Sequence, residues 1–241
     1  MREDILSSLV KPINTQRAKN IIIFVGDGMG NPITVASRIF KGQLRGQPGE
    51  EDMLEFERFP HTGISKTYCV DSQVADSACS ATALFHGVKA PFKTLGVDRN
   101  VVKDDCDSLL KFRAKWPHSI AEAAQKAGMR TGFVTTTSVT HATPAALYAH
   151  SPNREWETDK DIPELQRHCK DIARQLVEDT PGKDFNVIMG GGLFASSHLK
   201  YETDAADERR RKKPDAQPSL EQMTIAAIET LSNGENGFFL M

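Results

Sequence analysis

The 241-residue sequence lacks several features that mark particular classes of protein. No apolar run approaches the roughly 20 residues that span a bilayer. Residues 1–20 contain no continuous apolar core like that of a secretory signal, which taken alone predicts a cytosolic chain. The formal net charge is only -2, so the composition offers no global electrostatic attraction for nucleic acid.

The four cysteines are scattered and show no C-x-x-C spacing, which argues against a cysteine-based metal site. Cys69 and Cys79 are interpreted as buried free thiols. Cys106 and Cys169 lie in polar segments and could pair, but their spacing leaves this open.

Short apolar runs alternate with helical patterns along the chain, after an amphipathic lead-in at 6–13. Strands are predicted at 20–25, 63–69, 131–137, 185–189 and 237–241. Helices are predicted at 32–41, 77–86, 119–128, 162–178 and 219–233. The alternation predicts an α/β fold in which helices cover both faces of a mainly parallel sheet. We interpret residues 1–241 as one incomplete domain of three layers, with the strand at 237–241 in the centre of the sheet.

A polar segment interrupts this pattern at 195–217. Residues 204–214 are predicted to be an unstructured, solvated loop. Five consecutive cations at 209–213 follow acidic residues and have no aromatic residues among them, so a loop is favoured over a nucleic-acid site.

Asp27 follows the first apolar strand and lies between two glycines. A carboxylate at this place suits a hard metal ion. The alternative is an Asx-turn that ends the strand. The surrounding Gly-Asp-Gly-Met-Gly is not a G-x-G-x-x-G sequence, so a nucleotide loop is not predicted.

Ser77 opens the predicted helix 77–86, where amide donors and the helix dipole favour an anion. Small residues follow it and would let a tetrahedral phosphate approach. The alternative is that Asp76 or Ser77 is an N-cap. A serine hydroxyl needs a base or a metal to become a nucleophile. His86, the nearest histidine in sequence, cannot be placed as its partner, so a metal is favoured over a catalytic triad.

His141, Thr143 and Arg154 form a third group of candidates. His141 and Thr143 would place two donors on one side of an extended segment, which suits a metal site at a strand end. A loop histidine followed by a turn explains the same spacing. Arg154 could bind a phosphate bidentately, although most loop arginines are simply solvated.

Four ordered motifs occupy 20–30, 76–90, 134–156 and 185–192. In these motifs the chain resembles the alkaline phosphatases, especially the secreted and membrane-anchored animal type. The likeness covers about 14–194, with a weaker tail at 218–241.

The resemblance implies that Ser77 is the nucleophile that becomes phosphoserine. It implies that Asp76 orients Arg154 and that Arg154 binds two phosphate oxygens. Asp27 would bridge one zinc and the magnesium, and His141 with Thr143 would belong to the magnesium site.

It also implies a phosphomonoesterase with two Zn²⁺ and one Mg²⁺, small phosphate monoesters as substrates, and a homodimer in the full-length form. Cys106 and Cys169 would pair, which indicates an oxidising compartment. The full-length parent would be extracellular or at the cell surface, held to the membrane only by a C-terminal anchor that this sequence lacks.

Further zinc ligands of the family would follow residue 241, so we expect the chain to be the N-terminal half of a longer protein. The alternative function is a truncated, non-catalytic phosphate-binding product. A sulfatase is disfavoured because the sequence around Ser77 lacks the C/S-x-P-x-R context of the sulfatase nucleophile.

Overall fold

The computed structural model describes residues 15–192, 197–213 and 215–241. The amphipathic lead-in predicted at 6–13 lies outside them. The described residues fall into two compact units, one made of 15–18 with Gly26–Lys66 and the other of Lys19–Val25 with Thr67–Met241. One domain over 1–241 therefore stays a prediction. Within the described ranges, no helix is long and apolar enough to cross a membrane.

The first unit contains helix α1, Asn31–Gln43, and a 3-10 turn, Glu55–Arg58. A proline in the first turn of α1 agrees with the helix predicted at 32–41, because the fixed φ of proline suits that turn. The guanidinium of Arg38 donates to the carboxylate of Glu57 and ties the helix to the turn. The strand predicted at 63–69 was wrong, since no described strand pairs with this stretch.

The second unit is built on a four-stranded sheet in which every neighbouring pair is parallel. The spatial order is β1–β4–β2–β3. The strands are β1 Ile21–Ile22, β2 Arg130–Ser138, β3 Val187–Gly191 and β4 Phe238–Leu240. The predicted parallel sheet and the central place of the last strand are confirmed, while β1 is shorter than the predicted 20–25.

Helices pack on both faces of this sheet. The helices of the second unit are α2 Ser77–His86, α3 Cys106–Lys111, α4 Ile120–Lys126, α5 Ala142–Ala145, α6 Ile172–Glu178, α7 Glu202–Arg210 and α8 Leu220–Leu231. Phe238 and Leu240 of β4 face the cluster that contains α8, while Phe239 faces the cluster that contains α2, α4 and α5. This alternation along one strand gives the three predicted layers.

Two helical predictions needed correction. The helix predicted over 162–178 is confined to α6, because the Asp171 carboxylate caps the amide of Arg174 and starts the helix there. Residues 204–210 of the segment predicted to be an unstructured loop belong to α7. Acidic residues lie in the first turn of α7 and arginines in its last turn, an order that the helix dipole favours.

All four cysteines are paired. Cys106 and Cys169 form the disulfide that the resemblance implied. Cys69 and Cys79 form a second disulfide, with Cα atoms 5.7 Å apart, so their interpretation as free thiols was wrong. The loop before α2 returns to the first turn of that helix, which brings the two sulfurs together.

Candidate active site

Ser77 is the first residue of α2, and its position follows from the caps of that helix. Asp76 is the N-cap, with extended backbone, and its carboxylate accepts from the amides of Ala78 at 3.1 Å and Cys79 at 3.3 Å. The helix ends at Gly87, whose φ of 71° lies in the left-handed region. Both ends agree with the predicted helix 77–86, and they leave Ser77 half-buried at its start.

The small residues of α2 serve packing. Ala78 and Ala81 are buried in one cluster with Ala142 and Ala145 of α5, because alanines let two helix backbones approach closely. The amides of Ala78 and Cys79 already bind the Asp76 carboxylate. Two amides at the start of α2 therefore already have a partner, while the helix dipole still favours an anion there.

Arg154 is brought to the start of α2 from a loop 77 residues further along the chain. Its Nη1 donates to Ser77 Oγ at 2.7 Å and to Asp76 Oδ2 at 3.1 Å. The side chains of Arg154 and Asp76 are only 16% and 10% exposed. A charge-assisted pair so shielded from water holds the guanidinium firmly beside the serine hydroxyl.

His141 contacts the other end of the same guanidinium, with Arg154 Nη2 2.9 Å from His141 Nε2. Because an arginine stays protonated, Nε2 must be the acceptor. The histidine is the N-cap residue of α5, and Thr143 is buried inside that helix. The extended segment predicted for this pair was therefore wrong, since the backbone turns helical after His141.

A group of polar side chains at the carboxyl end of β2 was not predicted from the sequence. The amide of Ser138 donates to His198 Nδ1 at 2.8 Å, and the ring of His198 lies 5.1 Å from that of His141. The Glu157 carboxylate accepts from the hydroxyls of Ser138 and Thr140. Ligands in parallel sheets bind beyond the carboxyl ends of strands. The polar residues that follow the predicted strand 131–137 could therefore have indicated this group.

Two of the three predicted metal ligands offer oxygen donors that suit a hard divalent cation, a carboxylate from Asp27 and a hydroxyl from Thr143. The imidazole of His141 is a nitrogen donor that suits zinc better. Asp27 lies in the first unit, while His141 and Thr143 lie in the second. These three residues alone do not supply the four nitrogen, sulfur or carboxylate ligands that zinc prefers.

Only one cluster of three or more His, Cys, Asp or Glu ligand atoms occurs among the described residues, at Cys69, Asp76 and Cys79. Its two sulfurs are bonded to each other, and its carboxylate caps α2. That cluster is therefore not available to a metal ion.

Comparison with known proteins gives a consistent result. The family described as alkaline phosphatase matches residues 18–193 and 192–241. The chain is 49% identical to an alkaline phosphatase of Gadus morhua over 185 residues, which is 76% of this chain. It is 37% identical to a membrane-bound alkaline phosphatase of Bombyx mori over an alignment of 288 positions that covers 92% of this chain.

Comparison with solved structures gives the same family. A variant of the TAB5 alkaline phosphatase with Mg bound in its M3 site superposes with a TM-score of 0.59 at 25% identity, covering 92% of this chain and 63% of that one. The α/β fold is thus shared with alkaline phosphatases of known structure. The chain spans 38% of the Gadus morhua protein and 51% of the Bombyx mori protein.

Proposed function

The chain belongs to the alkaline phosphatase family, and from that membership we propose that the protein hydrolyses small phosphate monoesters through a phosphoserine at Ser77. The observation that carries this proposal is the contact of Arg154 Nη1 with both Ser77 Oγ and Asp76 Oδ2. A phosphate that replaces the serine as the partner of the guanidinium would have its phosphorus beside the serine oxygen.

Each residue of this group has a separate task. Arg154 binds two non-bridging oxygens of the phosphoryl group, since its guanidinium presents parallel donors. Asp76 fixes the orientation of that guanidinium. The positive end of the α2 dipole stabilises negative charge on the phosphoryl group as it is transferred.

In the proposed reaction, Ser77 Oγ attacks phosphorus and the bond from phosphorus to the leaving oxygen breaks. Water then cleaves the Ser77 ester and releases phosphate. The group that contacts Ser77 Oγ is a guanidinium, which cannot accept the hydroxyl proton. A bound divalent metal would supply that activation by lowering the pKa of the hydroxyl and of the attacking water.

For the metals, we propose Asp27, His141 and Thr143 as the contribution of this chain to a magnesium site, and Asp27 and Ser77 as its contribution to zinc binding. Mg²⁺ in the TAB5 structure and the oxygen-rich donors here support this assignment. The zinc ions would need ligands beyond those described.

For location and assembly, we propose an extracellular or cell-surface protein that forms a homodimer in its full-length form. The name of the Bombyx mori relative and the two disulfides support the location. Measuring the molar mass of the complete protein in solution tests the dimer.

The experiment compares hydrolysis of a chromogenic phosphate monoester by the complete protein, by Ser77→Ala and by Ser232→Ala. Ser232 is an exposed serine at the end of α8. Ser232→Ala therefore makes the same chemical change outside the site. We expect Ser77→Ala to lose turnover and Ser232→Ala to keep it. Retained turnover in Ser77→Ala would contradict the proposal.

Removal of divalent metals by a chelator should abolish turnover, and added Mg²⁺ and Zn²⁺ should restore it. Hydrolysis that continues after chelation would refute the metal assignment. Weak binding of inorganic phosphate by the 241-residue chain, without zinc retention or hydrolysis, would support the truncated non-catalytic alternative instead.

A further inference from the structure

Lys93 adopts a backbone conformation that side chains rarely accept. Its φ is 63°, and the other non-glycine residues with positive φ in the described part of the chain are Asp104 and Lys212. Left-handed backbone is uncommon outside glycine, asparagine and aspartate, because the Cβ approaches the following carbonyl. Such residues concentrate at functional sites, so the contacts of Lys93 are informative.

The backbone of Lys93 joins two members of the candidate active site. Its amide donates to Asp76 Oδ1 at 3.1 Å, and its carbonyl accepts from the amide of Arg154 at 2.9 Å. Lys93 thus lies between Asp76 and Arg154, with its amide directed to one and its carbonyl to the other. Its φ of 63° is part of the backbone conformation that makes both bonds.

These two bonds close a ring of interactions. Arg154 Nη1 donates back to Asp76 Oδ2, so the carboxylate is held on one oxygen by Lys93 and on the other by the guanidinium. Both ends of Arg154, its backbone amide and its side chain, are therefore fixed relative to the first turn of α2. Ser77 Oγ lies 2.7 Å from the same Nη1, so a shift of the ring moves the arginine relative to the nucleophile.

Neighbouring contacts hold residue 93 in this conformation. Leu95 and Ser151 exchange both backbone hydrogen bonds at 2.9 Å, which fixes the segments two and three residues away from Lys93 and Arg154. The buried hydroxyl of Thr94 donates to the carbonyl of Pro91 at 2.8 Å. Structure on both sides of Lys93 thus maintains a backbone conformation that the residue itself disfavours.

The side chain of Lys93 contributes little by comparison. Its Nζ lies 3.8 Å from Glu155 Oε1, and the two side chains are 39% and 60% exposed. Exposed ion pairs of this kind have small effects on stability. The function of this position must therefore reside in its peptide groups.

We propose that Lys93 is a positioning residue whose left-handed backbone sets Asp76 and Arg154 relative to Ser77. The inference rests on the proposed function, because it assigns the geometry of the same phosphate-binding group. The activity of variants at this position should therefore follow how well each residue tolerates positive φ. The charge of the side chain should not affect it.

The test uses the complete protein and four variants: Lys93→Gly, Lys93→Ala, Lys93→Ile and the control Lys212→Ile. Lys212 has a φ of 51° at the end of α7, so the control introduces the same strain away from Asp76 and Arg154. We would measure kcat/KM, the inhibition constant of inorganic phosphate, and the melting temperature of each variant.

We expect Lys93→Gly to keep kcat/KM within about twofold of the parent and Lys93→Ile to lower it about tenfold or more, as displaced catalytic groups do. Phosphate inhibition should weaken in Lys93→Ile and recover in Lys93→Gly. Lys93→Ala should fall between them, which preserves the comparison if Lys93→Ile does not fold. Lys212→Ile should lower the melting temperature only.

Two results would overturn the proposal. Equal losses in Lys93→Gly and Lys93→Ile would show that the ammonium group matters and the backbone does not. Unchanged kcat/KM and phosphate inhibition in both Lys93→Ile and Lys93→Ala would show that the conformation has no role. Either result could occur while Ser77→Ala remains inactive, so failure here is distinguishable from failure of the proposed phosphatase function.

Discussion

Replacing Asp76 with alanine should be among the most damaging single changes in this protein. The Asp76 carboxylate accepts four hydrogen bonds, from the amides of Ala78, Cys79 and Lys93 and from the guanidinium of Arg154. Asp76→Ala removes the N-cap of α2 and the carboxylate partner of a shielded arginine in one step. Both losses act on the same few atoms around the nucleophile.

The magnitude follows from these contacts. Loss of an N-cap costs about 1 kcal/mol, and loss of one partner from a buried ion pair costs about 3–5 kcal/mol. Arg154 keeps its contacts with Ser77 and His141 and is 16% exposed, which reduces the second cost. We therefore expect a total loss of about 4 kcal/mol. That corresponds to a fall in melting temperature of roughly 8–16 °C for a unit of this size.

The assay is thermal unfolding of the complete protein, with turnover measured on the same samples. Asp76→Asn is the informative companion, because asparagine is also a good N-cap but carries no charge. It should lose less stability than Asp76→Ala. Asp98→Ala is the control, since Asp98 caps a turn at the amide of Asn100 and lies outside the group around Ser77. A melting temperature for Asp76→Ala within about 2 °C of the parent, with turnover intact, would show that the Asp76 carboxylate does not stabilise this group.

Three further predictions follow from the structure. Replacing Cys69 and Cys79 with serine opens a cross-link over 10 residues and should cost about 3 kcal/mol of unfolding free energy; an unchanged urea midpoint would contradict this. Burial lowers the pKa of His150 from 6.5 to about 4, so between these pH values the unfolded protein binds more protons at this residue than the folded protein does. The free energy of unfolding should therefore keep its full value above pH 6.5 and fall by about 3 kcal/mol towards pH 4. In denaturant titrations, His150→Phe should flatten this pH dependence. Arg154→Lys removes the planar pair of donors and should weaken inhibition by inorganic phosphate about tenfold or more; equal inhibition of parent and variant would exclude bidentate binding.

The elements that could be predicted from sequence are those with local capping signals. The Asp76 cap and Gly87 delimit α2, and the capping box of Ser219 with Gln222 delimits the start of α8. Both depend on side chains within four residues of the backbone groups they bind. Such interactions are encoded over a short stretch, so the helices were predicted with nearly correct ends.

Features that depend on distant partners were predicted less well. The stretch 63–69 has a strand-like pattern but finds no strand to pair with among the described residues. The disulfide between Cys69 and Cys79 depends on the path of a loop, which residue spacing does not reveal. The helix α7 gains ion pairs between residues that look like an ordinary charged loop in the sequence.

The candidate site could be predicted only in part. Local chemistry identified Ser77 and its helix, but Arg154 lies 77 residues away, and its partnership with Asp76 was implied only by the resemblance to alkaline phosphatases. The role of Lys93 could not be read from its residue type, because its backbone forms the contacts. Fold topology is what brings these segments together.

Direct detection of the phosphorylated serine tests whether Ser77 is the nucleophile. The complete protein would be mixed with a phosphate monoester, quenched in acid, reduced and digested, and the tryptic peptide 67–89 would be measured by mass spectrometry. We expect one phosphoryl group on Ser77 and none on the same peptide of Ser77→Ala. Continued turnover without phosphate on this peptide, or with phosphate on another residue, would contradict this expectation.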